Sequence, residues 1–191
     1  MAFEDFKTKE SVVVVYTGDS KGKTSASLGL LLRALGRGWR CAYVQFVKTW
    51  ETGESLAIQK IRDAKVFDDQ LEYFRGGKGF FNAGDLSAKG VSEAEHKQAA
   101  RDTYAFAQAC ATSGDFDLVI CDEINNSVHD GLLTHADLAA LISSKSPTTS
   151  LCLTGRNFPT DLLDQVDIAT SMTKLKHHFD DKFLANKGID F

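Results

Sequence analysis

The chain has 191 residues, a formal charge of −4 and an apolar fraction of 43%, which is ordinary for a globular protein and enough for one sizeable core in a single domain spanning residues 1–191. Acidic and basic residues are mixed along the whole length, which argues against a nucleic-acid footprint or a membrane-surface patch, so any anion site has to be built locally. Residues 1–10 lack an apolar signal core and no apolar run approaches the roughly 20 residues of a membrane span, so the expectation is a cytoplasmic protein with no membrane contact.

In chain order, residues 11–16 (S-V-V-V-V-Y) form a β-branched run suited to a strand covered on both faces. A glycine-lysine turn follows. Residues 24–35 then place Leu28, Leu31, Leu32 and Leu35 at helical spacing, and Gly36-Arg37-Gly38 stops that helix before a second apolar run at residues 40–47. Ser92 and Glu95 offer a capping box before the alanine-rich stretch 99–111, and residues 117–121 (D-L-V-I-C) read as a strand ending at Asp122-Glu123. Residues 134–142 look helical, 149–153 (T-S-L-C-L) read as a strand entering Thr154-Gly155-Arg156, and Pro159 opens a short helix before 167–170. Strands alternating with helices predict a three-layer α/β/α domain with a mostly parallel sheet. Two stretches fit poorly. Residues 48–54 have no clear period, and residues 75–90 hold five glycines with Phe80 and Phe81 exposed between them, as in a functional lid or a mobile loop. Cys41, Cys110, Cys121 and Cys152 show no C-x-x-C pair and read as small buried hydrophobes, and the dispersed histidines do not suggest a metal set.

The strongest chemical signal is Thr17-Gly18-Asp19-Ser20-Lys21-Gly22-Lys23-Thr24-Ser25, between a buried-type strand and a helix. That context builds a P-loop phosphate cradle. Glycines let backbone N–H groups turn inward, the helix start adds its positive end, Lys23 brings charge to the phosphates, and Thr24 offers a hydroxyl to Mg2+. The general pattern G-x-x-x-x-G-K-[ST] asks for glycine where Thr17 stands, and here the glycine comes one residue late, at Gly18. A shifted loop hints at chemistry on ATP other than ordinary γ-phosphate transfer. Asp122-Glu123 fits the acidic strand end that holds the metal or its water, with helix capping as the alternative, and Arg156 leaves its strand at the same sheet edge, placed to reach phosphate.

At these residues the sequence resembles the P-loop ATP:corrinoid adenosyltransferases of the cobalamin pathway. Their loop reads T-G-N-G-K-G-K-T-T, with the same displaced glycine, and residues 17–25 follow it except that Asp19, Ser20 and Ser25 replace Asn, Gly and Thr. Val44-Gln45-Phe46-Val47-Lys48 is similar to the family's V-Q-F-I-K, Gly53-Glu54 to its G-E, and Cys121-Asp122-Glu123 to its L-D-E. Leu153-Thr154-Gly155-Arg156, Lys176-His177-His178-Phe179-Asp180 and Gly188-Ile189-Asp190-Phe191 resemble T-G-R, K-H-x-F-D and G-I-D-Y, so the likeness covers about residues 11–191.

The resemblance implies a RecA-like P-loop domain that transfers the 5′-deoxyadenosyl group of ATP to the cobalt of a reduced corrinoid such as cobalamin or cobinamide, releasing triphosphate. It implies that Gly18, Asp19, Ser20, Lys21, Gly22, Lys23, Thr24 and Ser25 surround the triphosphate, that Thr24 and Glu123 hold Mg2+ or Mn2+, and that Lys23, Glu123 and Arg156 act on the reacting nucleotide. Gln45 and Lys48 would border it. It also implies a homodimer and a reducing flavoprotein partner. The family's G-F-T-W appears here as Gly79-Phe80-Phe81-Asn82, so Phe80 matches, the tryptophan does not, and Phe81 either supplies a stacking ring or joins Phe80 in packing. Two other activities fit the cradle alone: a P-loop ATPase or kinase cleaving the β–γ bond, and a non-catalytic nucleotide- or corrinoid-binding protein.

Overall fold

The computed structural model describes residues 6–81, 84 and 87–191; Asn82 lies outside the described residues. Strands β1 (Val13–Thr17), β2 (Cys41–Gln45), β3 (Leu71–Arg75), β4 (Leu118–Asp122), β5 (Ser150–Thr154) and β6 (Ile168–Ser171) form one sheet in the order β3-β2-β4-β5-β1-β6. Every pairing is parallel. Helices α1 (Lys23–Leu35), α2 (Gly53–Asp63), α3 (Glu93–Ser113), α4 (Ile124–His129) and α5 (His135–Ser144) supply the crossovers.

Alternate residues of each strand point to opposite sides, so the sheet builds two cores. Val13, Val15, Ala42, Val44, Val119 and Leu153 join α3 and α5 on one face through Ala100, Ala107, Leu138 and Leu141. Val14, Tyr43, Leu118 and Ile120 join α1 and α2 on the other through Leu31, Leu35 and Ile58. The expected three-layer α/β fold is present. Its strands are displaced by one or two residues from the apolar runs, because pairing register, and not hydropathy, sets where each ladder begins.

Helix α2, strand β3 and the short helix α4 were absent from the sequence reading. Helix α2 starts at Thr52, where the Thr52 hydroxyl accepts from the Ser55 N–H and the Ser55 hydroxyl accepts from the Thr52 N–H at 2.9 Å. A serine occupies the position where a capping box usually shows Glu or Gln, which hides the signature. Strand β3 pairs with β2 from Cys41↔Leu71 to Gln45↔Arg75. The turn after Pro159 is a 3-10 helix, Thr160–Gln165.

Phe80 and Phe81 are partly buried against the core, not exposed. The glycines before them permit close packing: the Gly76 N–H donates to the Gln45 carbonyl, the Gly79 N–H to that of Val47, and Gly77 has φ +109°. A Cβ at Gly77 would sit 2.2 Å from the Phe46 carbonyl oxygen, so this part of the loop is laid against the end of β2. All four cysteines are free and buried, and burial pushes the Cys41 thiol up to about 12 and that of Cys110 to about 11. Among the described residues no helix is long and apolar enough to cross a membrane.

Candidate active site

The carboxyl ends of β1, β2, β4 and β5 lie level, since Tyr16 pairs with Thr154 and Gln45 with Asp122. Open parallel sheets bind ligands at this edge. The loop leaving β1 is pinched by the chain leaving β6: the Met172 N–H donates to the Thr17 carbonyl at 2.8 Å and the Ser20 N–H to the Met172 carbonyl at 3.1 Å. A Cβ at Gly18 would stand 2.4 Å from that Met172 oxygen, which explains why the glycine falls at this position and not at Thr17. Gly22 then turns left-handed at φ 107° and opens α1.

The first N–H groups of α1 have no acceptor within the helix and sit at the positive end of its dipole, so they form an anion site. Lys23 lies across the loop, its ammonium donating to the carbonyls of Gly18 at 2.7 Å and Ser20 at 2.5 Å. Burial lowers its affinity for the proton and Arg156 adds to this, while Glu123, Asp19 and Asp122 oppose it. Asp19 is exposed and does not line the cleft, so it does not block the cradle.

Beside the cradle, Asp122 is fully buried and accepts hydrogen bonds from the Thr24 hydroxyl at 3.0 Å, the Thr154 hydroxyl at 2.7 Å and the Gln45 amide at 3.2 Å. Lys48 approaches it at 3.4 Å and pairs with Glu54 at 2.7 Å. Burial alone would lower the proton affinity of Lys48, but Asp122, Glu123 and Glu54 outweigh it and raise the ammonium to about 12. Gln45 is buried, its carbonyl oxygen accepting from the Tyr73 hydroxyl at 2.7 Å. It orients Asp122 from beneath and does not border the cleft, which corrects its expected place.

Glu123 has the left-handed backbone φ of 65°, and its N–H is tied to the Thr154 hydroxyl at 2.9 Å. Its Oε2 is sealed from solvent with no hydrogen-bond partner. Burial and the neighbouring Asp122 charge push its carboxyl up to about 7 against the pull of Lys48, Lys23 and Arg156. A buried acceptor without a donor calls for a cation. The Thr24 hydroxyl, Asp122 and Glu123 are hard oxygen donors suited to Mg2+ or Mn2+. Among the described residues no three His, Cys, Asp or Glu side chains converge as a complete metal site, so the fit is to an ion that takes further ligands from phosphate and water.

One cleft of about 880 Å³ collects most of the expected residues: Ser20, Lys21, Gly22, Lys23, Thr24 and Ser25 on one wall, with Lys48, Glu123 and the exposed Arg156. Phe80 and Phe81 line it as well, Phe80 tilted against Trp50 at 4.9 Å between ring centroids and Phe81 against His96 at 5.2 Å. Gly18, Asp19 and Gln45 lie outside the lining. Trp50 and Asn126 are part of it and escaped the sequence reading, and the C-terminal residues 188–191, read there only as a motif with no assigned role, join the lining. Trp50 sits in a stretch without period, and only the folding of that stretch over Phe80 reveals it.

Residues 9–191 match the family model described as ATP:corrinoid adenosyltransferase BtuR/CobO/CobP. A corrinoid adenosyltransferase from Sinorhizobium sp is 31% identical over 188 residues, covering 97% of this chain and 83% of the relative. Another from Pseudomonas aeruginosa is 27% identical over 186 residues, 97% of this chain and 86% of its own. The corrinoid adenosyltransferase CobA of Salmonella typhimurium is 26% identical over 190 residues, 96% of this chain and 87% of its own.

Proposed function

The chain belongs to the ATP:corrinoid adenosyltransferase family, and from that premise we propose how its cleft carries out the transfer of the adenosyl group of ATP to a corrinoid. The reduced cobalt of the corrinoid attacks the 5′ carbon of ATP, the cobalt–carbon bond forms as the carbon–oxygen bond breaks, and triphosphate leaves with that electron pair. The phosphate cradle therefore holds a leaving group.

The observation that carries this reading is the sharing of one cleft by an anion cradle, the Glu123 carboxylate backed by the buried Asp122, and an aromatic wall. The N–H groups at the start of α1 and the Lys23 ammonium, released from the Gly18 and Ser20 carbonyls, stabilise charge that grows on the departing chain. Arg156 adds a planar fork of donors, and Lys48 balances the acidic pair. Thr24, Asp122 and Glu123 would hold the divalent ion, which supplies further neutralisation of the triphosphate. Trp50, Phe80 and Phe81 give flat apolar area against which a macrocycle or a base can stack. The homodimer and the reducing flavoprotein belong to this proposal, with cobalamin or cobinamide as the acceptor.

The test mixes the protein with MgATP and chemically reduced cobalamin or cobinamide. The spectrum of the adenosylated corrinoid should appear, and Lys23→Ala should abolish it. A protein that binds both substrates and leaves the corrinoid spectrum unchanged would refute the proposal.

A further inference from the structure

The Gly188-Ile189-Asp190-Phe191 ending has so far been used only as a resemblance, yet it returns to the phosphate loop. The Asp190 carboxylate lies 2.5 Å from the Lys21 ammonium and its side chain is 3% exposed, against 48% for Lys21. Its other oxygen accepts from the Asn186 N–H at 2.7 Å and stands 3.5 Å from His178 Nε2. The remaining described backbone bonds of the tail are internal, from Gly188 to Phe191 and from Ile189 and Asp190 to Asn186. The tail is thus a small self-bonded turn whose described polar ties to the rest of the molecule run through one carboxylate. Docked this way, Ile189 and Phe191 line the cleft, and the Phe191 backbone abuts the start of α2 near Gly53.

A lysine on an open loop loses rotamer freedom when it grips a ligand. A carboxylate that fixes it beforehand removes part of that loss, and an aspartate at the rim of a polyanion site is otherwise unfavourable. We propose that Asp190 is a positioning residue: through Lys21 it holds residues 185–191 across the phosphate loop as one wall of the substrate cleft and keeps the Lys21 ammonium at the mouth of the cradle. The inference rests on this cleft being the ATP site.

Its test is MgATP binding by calorimetry, without corrinoid, for the full chain and for D190N, D190E, K21M and the D190N/K21M pair. D190N should weaken binding roughly fivefold, D190E should recover most of it, and D190N should add almost nothing once Lys21 is replaced. In turnover the loss should fall on KM for ATP and leave kcat nearly unchanged. A chain ending at Lys187 should reproduce D190N even where D190N disturbs folding. Unchanged binding in D190N, or equal losses in both backgrounds, would overturn the proposal. A wild-type chain that binds MgATP but adenosylates no corrinoid would sink the catalytic reading and leave this cycle to be judged on binding alone.

Discussion

Replacing Glu123 by glutamine should stabilise the ligand-free protein while disabling it. An ordinary glutamate loses its proton near 4.5, and in the fold that value stands at about 7. The unfolded chain therefore releases the Glu123 proton between those two pH values while the folded chain keeps it, so folding stability falls as pH rises from about 4.5 to about 7 and is level beyond. At 1.36 kcal/mol for each tenfold change in proton affinity, the cost at pH 8 is on the order of 3 kcal/mol. The part of Glu123 that touches solvent reduces this to roughly 2 kcal/mol. Glutamine carries no such cost. Urea unfolding of both proteins should show them nearly equal at pH 5, with the variant pulling ahead to about 2 kcal/mol by pH 8. With MgATP the order should reverse, because ligand binding stabilises only the protein that can hold the ion. A stability difference independent of pH, or a variant less stable at pH 8 without ligand, would refute the assignment of Glu123 as a strained, cation-seeking carboxylate.

Other consequences follow from the same contacts. Gly18→Ala puts a methyl group against the Met172 carbonyl at a positive φ, and should lower the unfolding free energy by about 1–3 kcal/mol and weaken ATP binding, both measurable by urea unfolding and calorimetry. Asp122→Asn leaves one oxygen to accept from the Thr24 and Thr154 hydroxyls but removes the charge that partners Lys48 and turns the acceptor of the Gln45 amide into a donor; a loss of about 3 kcal/mol and of MgATP turnover is expected in melts and assays. Trp50 lines the cleft against Phe80, so its fluorescence should quench when corrinoid binds, and Phe80→Ala should diminish that change; a quench identical in the two proteins would remove Phe80 from the binding wall.

Much of this molecule was legible in its amino acids where local rules coincide with the tertiary result. The β-branched run at residues 12–15 names a strand covered on both faces, and Gly22-Lys23-Thr24 after it names the cradle, because strand, turn and helix start each carry their own signal. The Ser92–Glu95 capping box marks the start of α3 for the same reason. Helix α2 was hidden by a serine at the capping position, and the closely packed glycines from Gly76 read as a loose loop because composition cannot show a carbonyl 2.2 Å from an absent Cβ. The displaced glycine was visible as a departure from pattern, but its cause, the Met172 backbone, lies about 150 residues away in sequence. Gln45 and Trp50 changed places for a similar reason: adjacency on β2 and β4 buries Gln45 beneath Asp122, whereas Trp50 reaches the cleft only because its irregular stretch folds onto Phe80.

The fate of the phosphates tests the account most directly. Phosphorus NMR of a reaction containing MgATP and reduced corrinoid should show intact triphosphate accumulating one for one with adenosylated corrinoid. Orthophosphate with ADP, formed at the same rate whether or not corrinoid is present, would contradict it.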